Sequence, residues 1–203
     1  MSDHLVESYD KQLELINSNL VKMGGLVEQQ VKDSLKALDD KDTEFAEEIL
    51  KKDDKIDNLE KEIYALAYKI IAMRQPMAND LRTVVSALSI ANDLERMGDH
   101  ATNVAKRVAN VKVSMPSQSI SKIVQMGDDV QNMIKNVLDA FIKMSEKKAI
   151  TVWDSDIDID ETYLSIYREL LQMMADNPET INGCAHLLTI ATVSYTHLRA
   201  HET

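Results

Sequence analysis

The chain has 203 residues, a formal net charge of −11, 44% hydrophobic residues and only 4% aromatics, with five glycines and three prolines. So few turn formers leave little room for irregular loop, and the shortage of aromatics points to an all-α protein whose interfaces are filled by Leu, Ile, Val, Ala and eleven Met. The acidity disfavours contact with phosphate backbones, so no nucleic-acid partner is expected; cations or a basic protein surface suit it better, although net negative charge also serves plain solubility.

Apolar residues at Tyr9, Leu13, Ile16, Leu20, Met23, Val27, Val31, Leu35 and Leu38 alternate steps of three and four, the seam of a long amphipathic helix. The polar run Asp39-Asp-Lys-Asp42 interrupts it. A second seam, Ile56, Leu59, Ile63, Leu66, Ile70 and Met73, stops before Pro76, and Asn79 or Asp80 supplies the cap of a third helix running to about Val111. Pro116-Ser117 is too short a connection for a flexible linker, and the pattern restarts at Ile120, Ile123, Met126, Val130, Ile134, Val137 and Phe141. Cys184 is the one cysteine and forms no intrachain disulfide. No leader segment is expected at the start, and no apolar run reaches the roughly eighteen residues of a membrane span, so direct membrane insertion is not expected.

An offset of 103 residues lays the second half on the first. Val21, Met23, Gly24 and Val27 meet Val124, Met126, Gly127 and Val130, and Lys32, Leu35 and Ala37 meet Lys135, Leu138 and Ala140. Asp53, Ile56, Asp57 and Tyr64 meet Asp156, Ile159, Asp160 and Tyr167. Shared heptads would match apolar with apolar, whereas this register also matches a glycine and both aspartates of an Asp-x-x-x-Asp. The fold expected is two tandem three-helix bundles related by a pseudo-twofold, residues 1–115 and 116–192.

The third helix carries the chemistry. At about 100° per residue, Leu81, Val85, Leu88, Asn92, Glu95, Asp99 and Asn103 share one face. Leu94, Met97, Ala101, Ala105 and Val108 lie roughly opposite, so this helix is expected to turn its core face from one side to the other. Glu95 and Asp99 stand one turn apart, as do Asp53 with Asp57 and Asp156 with Asp160. Such pairs repel, and a shared hard cation would relieve them, since carboxylate and amide oxygens suit Mg, Mn, Ca or Fe. The other reading is a solvated face, with Arg82 and Arg96 available to neutralise it. His100 reads as a surface neighbour of Asp99 and His186 as a packed or edge histidine. No nucleophile–base set, no phosphate-cradling glycine loop and no basic–aromatic stripe is present, so no enzymatic activity is expected.

With Arg74-Gln-Pro-Met-Ala-Asn-Asp-Leu-Arg82, Ile90-Ala-Asn-Asp-Leu-Glu-Arg-Met-Gly-Asp-His100 and Ile181-Asn-Gly-Cys-Ala-His-Leu-Leu188 in view, the chain resembles the PhoU family of phosphate-transport regulators. The resemblance spans both repeats. It implies a metal-cluster face on each bundle built around E(D)xxxD motifs, which maps onto Glu95 and Asp99 with Asp53 and Asp57 as partners, and Asp156 and Asp160 in the other half. The metal so implied is iron or zinc, or else magnesium or manganese. Asn103 joins that face, and Asp80, Arg82, Asn92 and Arg96 lie within the motifs. The resemblance further implies a cytoplasmic homodimer that restrains the phosphate-starvation response and links a phosphate ABC transporter to a sensor histidine kinase. The competing expectation is a structural helical adaptor whose acidic face is solvated and holds no metal.

The end departs from this pattern. Ile190-Ala191 repeats Ile90-Ala91, yet Tyr195 and Arg199 stand where Glu and Asp are expected. Residues 193–203 read letter for letter like one frame of a transposase-type sequencing adapter and are taken as a non-native tail, which leaves the last helix of the second bundle cut short. Ile123, Val130 and Ile166 are then expected to lack partners.

Overall fold

The computed structural model describes the backbone of residues 2–111 and 117–196 and the side chains of 11–111, 118–153 and 157–192. Among these, seven α-helices follow in order: α1 (Ser2–Asp40), α2 (Thr43–Leu50), α3 (Asp54–Arg74), α4 (Asn79–Val108), α5 (Ser117–Ile142), α6 (Glu146–Asp176) and α7 (Ile181–Thr196). A 3-10 turn, Pro178–Thr180, precedes α7, and no described residue is in a strand. α1, α3 and α4 pack on one another as one bundle, with α2 against α1 and α4; α5, α6 and α7 form the other, and α1 lies on α5. The junction at 112–116 and the 193–203 tail's side chains lie outside the described residues.

The pseudo-twofold has a physical seat. Where Gly24 would carry a Cβ, Cδ1 of Leu138 already stands, and where Gly127 would carry one, Cδ1 of Leu35 stands. These residues are 103-residue equivalents, Gly24 of Gly127 and Leu35 of Leu138, so the same leucine-on-glycine contact is made twice, with α1 and α5 antiparallel. The absent side chains let the helices close up, and the leucines fill the space.

The turns after α1 and α5 match in the same way. Lys41 (φ 55°) and Met144 (φ 47°) take the left-handed conformation. The next N–H reaches back to a carbonyl five residues earlier, Asp42 to Ala37 and Ser145 to Ala140, each at 2.9 Å. Asp42 and Ser145 then cap the following helices by accepting from Phe45 N–H and Lys148 N–H. The four side chains at these two pairs of positions differ, so an identity comparison passes over the correspondence.

The first repeat adds a short helix, α2, ahead of the expected second helix α3, with a break at 51–53, whereas the equivalent α6 is continuous. Two expectations are corrected. The core face of α4 does not change sides: Val84, Ala87, Ala91, Leu94, Ala101, Ala105 and Val108 are all buried, while Leu81 and Val85 face out. Small residues bring α4 close to its neighbours, so the larger side chains of its first turns mark the outside. Ile123, Val130 and Ile166 are buried among α1, α6 and α7. Ala149 is exposed where its equivalent Ala46 is buried.

A glycine series tests the seat. Nothing lies within 4 Å of a Cβ at Gly25, so Gly25→Ala is expected to stabilise by up to about 1 kcal/mol through helix propensity. Gly127→Ala meets Cδ1 of Leu35 and also its Cδ2 and Cγ, both at 3.2 Å, so rotating one methyl gives no relief. It is expected to lose about 1–3 kcal/mol. Gly24→Ala meets mainly one terminal carbon of Leu138 and falls between. Urea midpoints give the order; a Gly127→Ala protein as stable as Gly25→Ala would refute the seat.

Candidate functional site

α3 and α4 are joined by the short turn 75–78 and run antiparallel, so the start of α3 lies beside the middle of α4. Gly98 makes the approach possible: a Cβ there would come within 2.9 Å of Ile56 Cδ1 and 3.7 Å of Asp53 Oδ1. Asp53 ends α2's connection and opens α3, but its carboxylate makes no cap bond to the helix. It accepts instead from Nε2 of Gln30 on α1, at 2.8 Å.

Gln30 is buried, and the same nitrogen also donates to the Gly98 carbonyl at 3.2 Å and to Thr102 Oγ1 at 2.9 Å. The amide orientation follows from chemistry: a carboxylate and a carbonyl only accept, so the NH2 must face them. One glutamine of the core thus ties the acidic end of α3 to α4.

Around this tie the structure brings together Asp53, Asp57 and Glu60 of α3 with Glu95 and Asp99 of α4. Glu95 shows it most directly. Its carboxyl is pushed up from the ordinary 4.5 by burial, then by the charges of Asp99, Glu60, Asp57 and Asp53. Glu60 is pushed up by burial and by Asp57, against a pull from Lys61. Burial also raises the Tyr64 phenol, with Glu60, Tyr68, Asp93 and Glu95 adding to it. His100 is pushed down by burial and Arg96, against Asp99, and is half-buried rather than on the surface. Among the described residues no ion pair joins Arg82 or Arg96 to these carboxylates; both guanidinium side chains are exposed.

The remaining sequence candidates fall as follows. Asn92 and Asn103 are half-buried on α4, roughly one turn to either side of Glu95 and Asp99. Asp80 and Arg82 are exposed in the first turn of α4, thirteen or more residues and so ~20 Å from Glu95 along the helix, and are not part of the cluster. In the second bundle Asp160 is half-buried, and its Oδ1 is buried without a hydrogen-bond partner among the described residues. The Asp156 side chain lies outside the described residues. The surroundings differ between repeats. Gln30 is replaced by buried Met133, and Glu60 and Asn92 by Tyr163 and Thr192, whose hydroxyls meet at 3.2 Å.

Sequence reasoning missed Gln30, Glu60, Thr102 and the reason for Gly98. The readable signal for Gln30 is its position three residues after Val27, inside the core stripe, where a polar side chain needs a partner.

In oxygen donors and in uncompensated negative charge these side chains fit a hard cation. Among the described residues, however, no three His, Cys, Asp or Glu side chains stand as a preformed ligand set. The acids at the start of α3 also have a local explanation, since Asp54 and Asp57 in its first turn complement the helix dipole. Glu95 and Asp99, in the interior of α4, have no such explanation.

Comparison with known proteins bears on the fold and the family. The PhoU domain matches residues 20–108 and 123–194. The chain is 41% identical over 192 residues to a protein of Caulobacter vibrioides strain NA1000 named as a phosphate-specific transport system accessory protein PhoU homolog, covering 94% of this chain and 84% of that one. A Clostridium acetobutylicum protein of the same name is 37% identical, over 90% of this chain and 84% of that one. The crystal structure of PhoU from Pseudomonas aeruginosa superimposes with a TM-score of 0.83 at 31% identity, covering 95% of this chain and 96% of that one. A phosphate transport system regulatory protein PhoU from Streptococcus pneumoniae gives 0.79 at 29% identity, covering 95% and 94%.

The raised carboxyls set a pH dependence. A carboxyl with a raised folded pKa adds stability that is full below its unfolded value near 4.5 and is lost as pH rises through the folded value. His100, pushed down, works the other way below 6.5, so the readout is the difference between the wild type and Glu95→Gln. In metal-free buffer the variant is expected to melt higher at pH 7, with the gap closing toward pH 5. Glu169, held down first by its hydrogen bond from Lys122, and Asp139, held at about 2 by hydrogen bonds from Lys143 and Lys148, matter only at more acid pH. A gap absent at pH 7, or constant down to pH 5, would show that Glu95 is not crowded.

Proposed function

The chain belongs to the PhoU domain family, and from that premise we propose that it regulates phosphate uptake as an accessory of a phosphate-specific transport system. The names of its relatives support the transport role. It does so without chemistry of its own, by binding protein partners and by holding a metal ion or cluster on the α3–α4 acidic face. The observation that carries the metal reading is the environment of Glu95: burial and four other carboxylates all push its carboxyl up, and no described ion pair joins Arg82 or Arg96 to the cluster.

Asp53, Asp57, Glu95 and Asp99 would hold the metal, with Asn103 and Glu60 at its margin. An all-oxygen set suits iron, manganese or magnesium better than zinc, whose structural sites draw on Cys and His. The bound ion supplies positive charge that removes the repulsion between α3 and α4. Gln30 keeps Asp53 placed, since its N–H donates to the Asp53 carboxylate. The chain's partners are the components of a phosphate ABC transporter and a sensor histidine kinase, and it works as a cytoplasmic homodimer that restrains the phosphate-starvation response. No described helix is long and apolar enough to cross a membrane, so contact with a transporter runs through protein surfaces.

The second reading is a helical adaptor whose acidic face is only solvated, and the local explanation of the α3 acids favours it. Metal content decides. Protein purified in chelator-free buffer is expected to carry iron or manganese, and Glu95→Ala with Asp99→Ala is expected to lose it while keeping its helical circular dichroism. Added metal at a hundredfold over Kd should stabilise the wild type by about 2.7 kcal/mol and leave the double variant unmoved. In a bacterium stripped of its own family member, the wild type is expected to repress a phosphate-starvation reporter and the double variant to fail. Metal-free wild type that still represses would establish the adaptor.

A further inference from the structure

We infer that the outward face of α6 is a docking surface for an amphipathic helix of a protein partner whose flanks carry Lys or Arg. Ile150, Trp153, Ile157, Leu164, Tyr167 and Leu171 are each between 37% and 62% exposed. Ile150, Ile157, Leu164 and Leu171 repeat at seven residues, with Trp153 and Tyr167 three residues after the first and third. At about 100° per residue all six fall in one stripe, some 130° round the helix from the buried residues Val152, Ile159, Ile166 and Leu170. Single exposed apolar residues need no explanation; a continuous stripe with coiled-coil spacing does.

The first-repeat equivalents are Glu47, Leu50, Asp54, Lys61, Tyr64 and Tyr68 for positions 150, 153, 157, 164, 167 and 171. There Glu47, Asp54, Lys61 and Tyr68 are exposed, and Leu50 and Tyr64 are half-buried. Charged side chains thus stand in the first repeat where α6 carries Ile150, Ile157 and Leu164, so the apolar run at those positions is peculiar to α6 and was not required by the fold.

Charge selects the occupant. α6 carries eight acidic and three basic side chains. At the same 100° per residue, exposed Glu161 lies just outside the stripe on one side with exposed Asp158 beyond it, exposed Arg168 stands at that edge, and half-buried Asp160 falls within the stripe near Tyr167. The buried Oδ1 of Asp160 has no hydrogen-bond partner among the described residues and adds an acceptor there. A second copy of α6 would set its net negative charge against like charge, whereas a helix with basic flanks meets Glu161 and Asp160 and seats its apolar face on the stripe. This surface is on the second bundle and does not depend on the metal reading.

Trp153 is the only tryptophan of the chain, so its emission reports the surface directly. The probe is a synthetic helix of about 21 residues, matching the stripe's length of ~32 Å, with Leu at its heptad positions and Lys and Arg beside them. Titration into the full chain is expected to shift Trp153 emission to the blue in a saturable, salt-sensitive way. The same helix with Glu flanks should not bind. Ile157→Glu with Leu164→Glu is expected to weaken binding about tenfold or more, the scale of losing central apolar anchors, and Tyr68→Glu to leave it unchanged. Should the double variant lose its circular dichroism, Asp158→Lys with Glu161→Lys takes its place and is expected to abolish the preference for basic flanks. No shift with the basic helix, equal binding of both helices, or undiminished binding by a folded variant overturns the inference. So does a blue shift that grows with protein concentration alone, which would assign the stripe to a second copy.

Discussion

Leu35 on Gly127 and Leu138 on Gly24 fix how closely α1 and α5 approach, and most of the remaining arrangement follows from that distance. A leucine side chain seated on bare helix backbone tolerates neither a slide of one residue, which would bring a side chain under it, nor a separation, which would open a cavity. Made twice about a twofold, the contact fixes register and crossing together. α1 is also the helix that reaches into the acidic site. Gly24 and Leu35 lie on one side of it, and Gln30 lies ~130° round, toward α3 and α4. The helix that sets the relation of the two bundles therefore also carries the amide that sets Asp53.

Much of this was legible in the sequence because packing of helices leaves periodic traces. The seams of α1, α3 and α5 and the 103-residue register were readable; the matched glycines marked the repeat, and their contact at the twofold appears only in the structure. The reading of α4 failed where size was taken for burial. Leu81 and Val85 are larger than Ala87, Ala91 and Ala105, yet the small residues are inside because α4 lies close to its neighbours. The break between α2 and α3 had no proline or glycine to announce it. The paired turns at Lys41 and Met144 were hidden because a left-handed residue and a capping oxygen define them, and neither requires one side chain. The i, i+4 carboxylates were visible on each helix. Glu60 and Gln30 were not, since their part depends on which helices meet.

The two repeats agree inside and differ outside, which separates what the fold demands from what is free to specialise. The core equivalences Met23 with Met126, Ile56 with Ile159 and Ile63 with Ile166 are buried in both. At the buried tie itself Gln30 gives way to Met133, and beside it Glu60 to Tyr163, so the polar tie of the first bundle has no equivalent in the second. Conversely the charged outer positions Glu47, Asp54 and Lys61 of the first repeat are Ile150, Ile157 and Leu164 on α6. One bundle has concentrated uncompensated charge and the other exposed apolar surface, on a shared scaffold that needed neither.

The acidic face is held in a state it would not adopt by itself. Five carboxylates near one another would ordinarily relax by protonation, by rotation into solvent or by pairing with a cation. Asp53 accepts from Gln30, and Gln30 cannot turn away without setting its own oxygen against the Gly98 carbonyl. Rotation of Asp53 into solvent would leave part of that buried amide unsatisfied, at a cost of about 1–3 kcal/mol. The guanidinium groups of Arg82 and Arg96 are exposed and form no ion pair with the cluster. Glu95, with no fixed donor of its own, takes up the strain as a raised pKa. The cation proposed for this face would remove the repulsion without disturbing the hydrogen bonds that keep Asp53 in place. One carboxylate is thus fixed by the core through Gln30, and another, Glu95, is left to adjust.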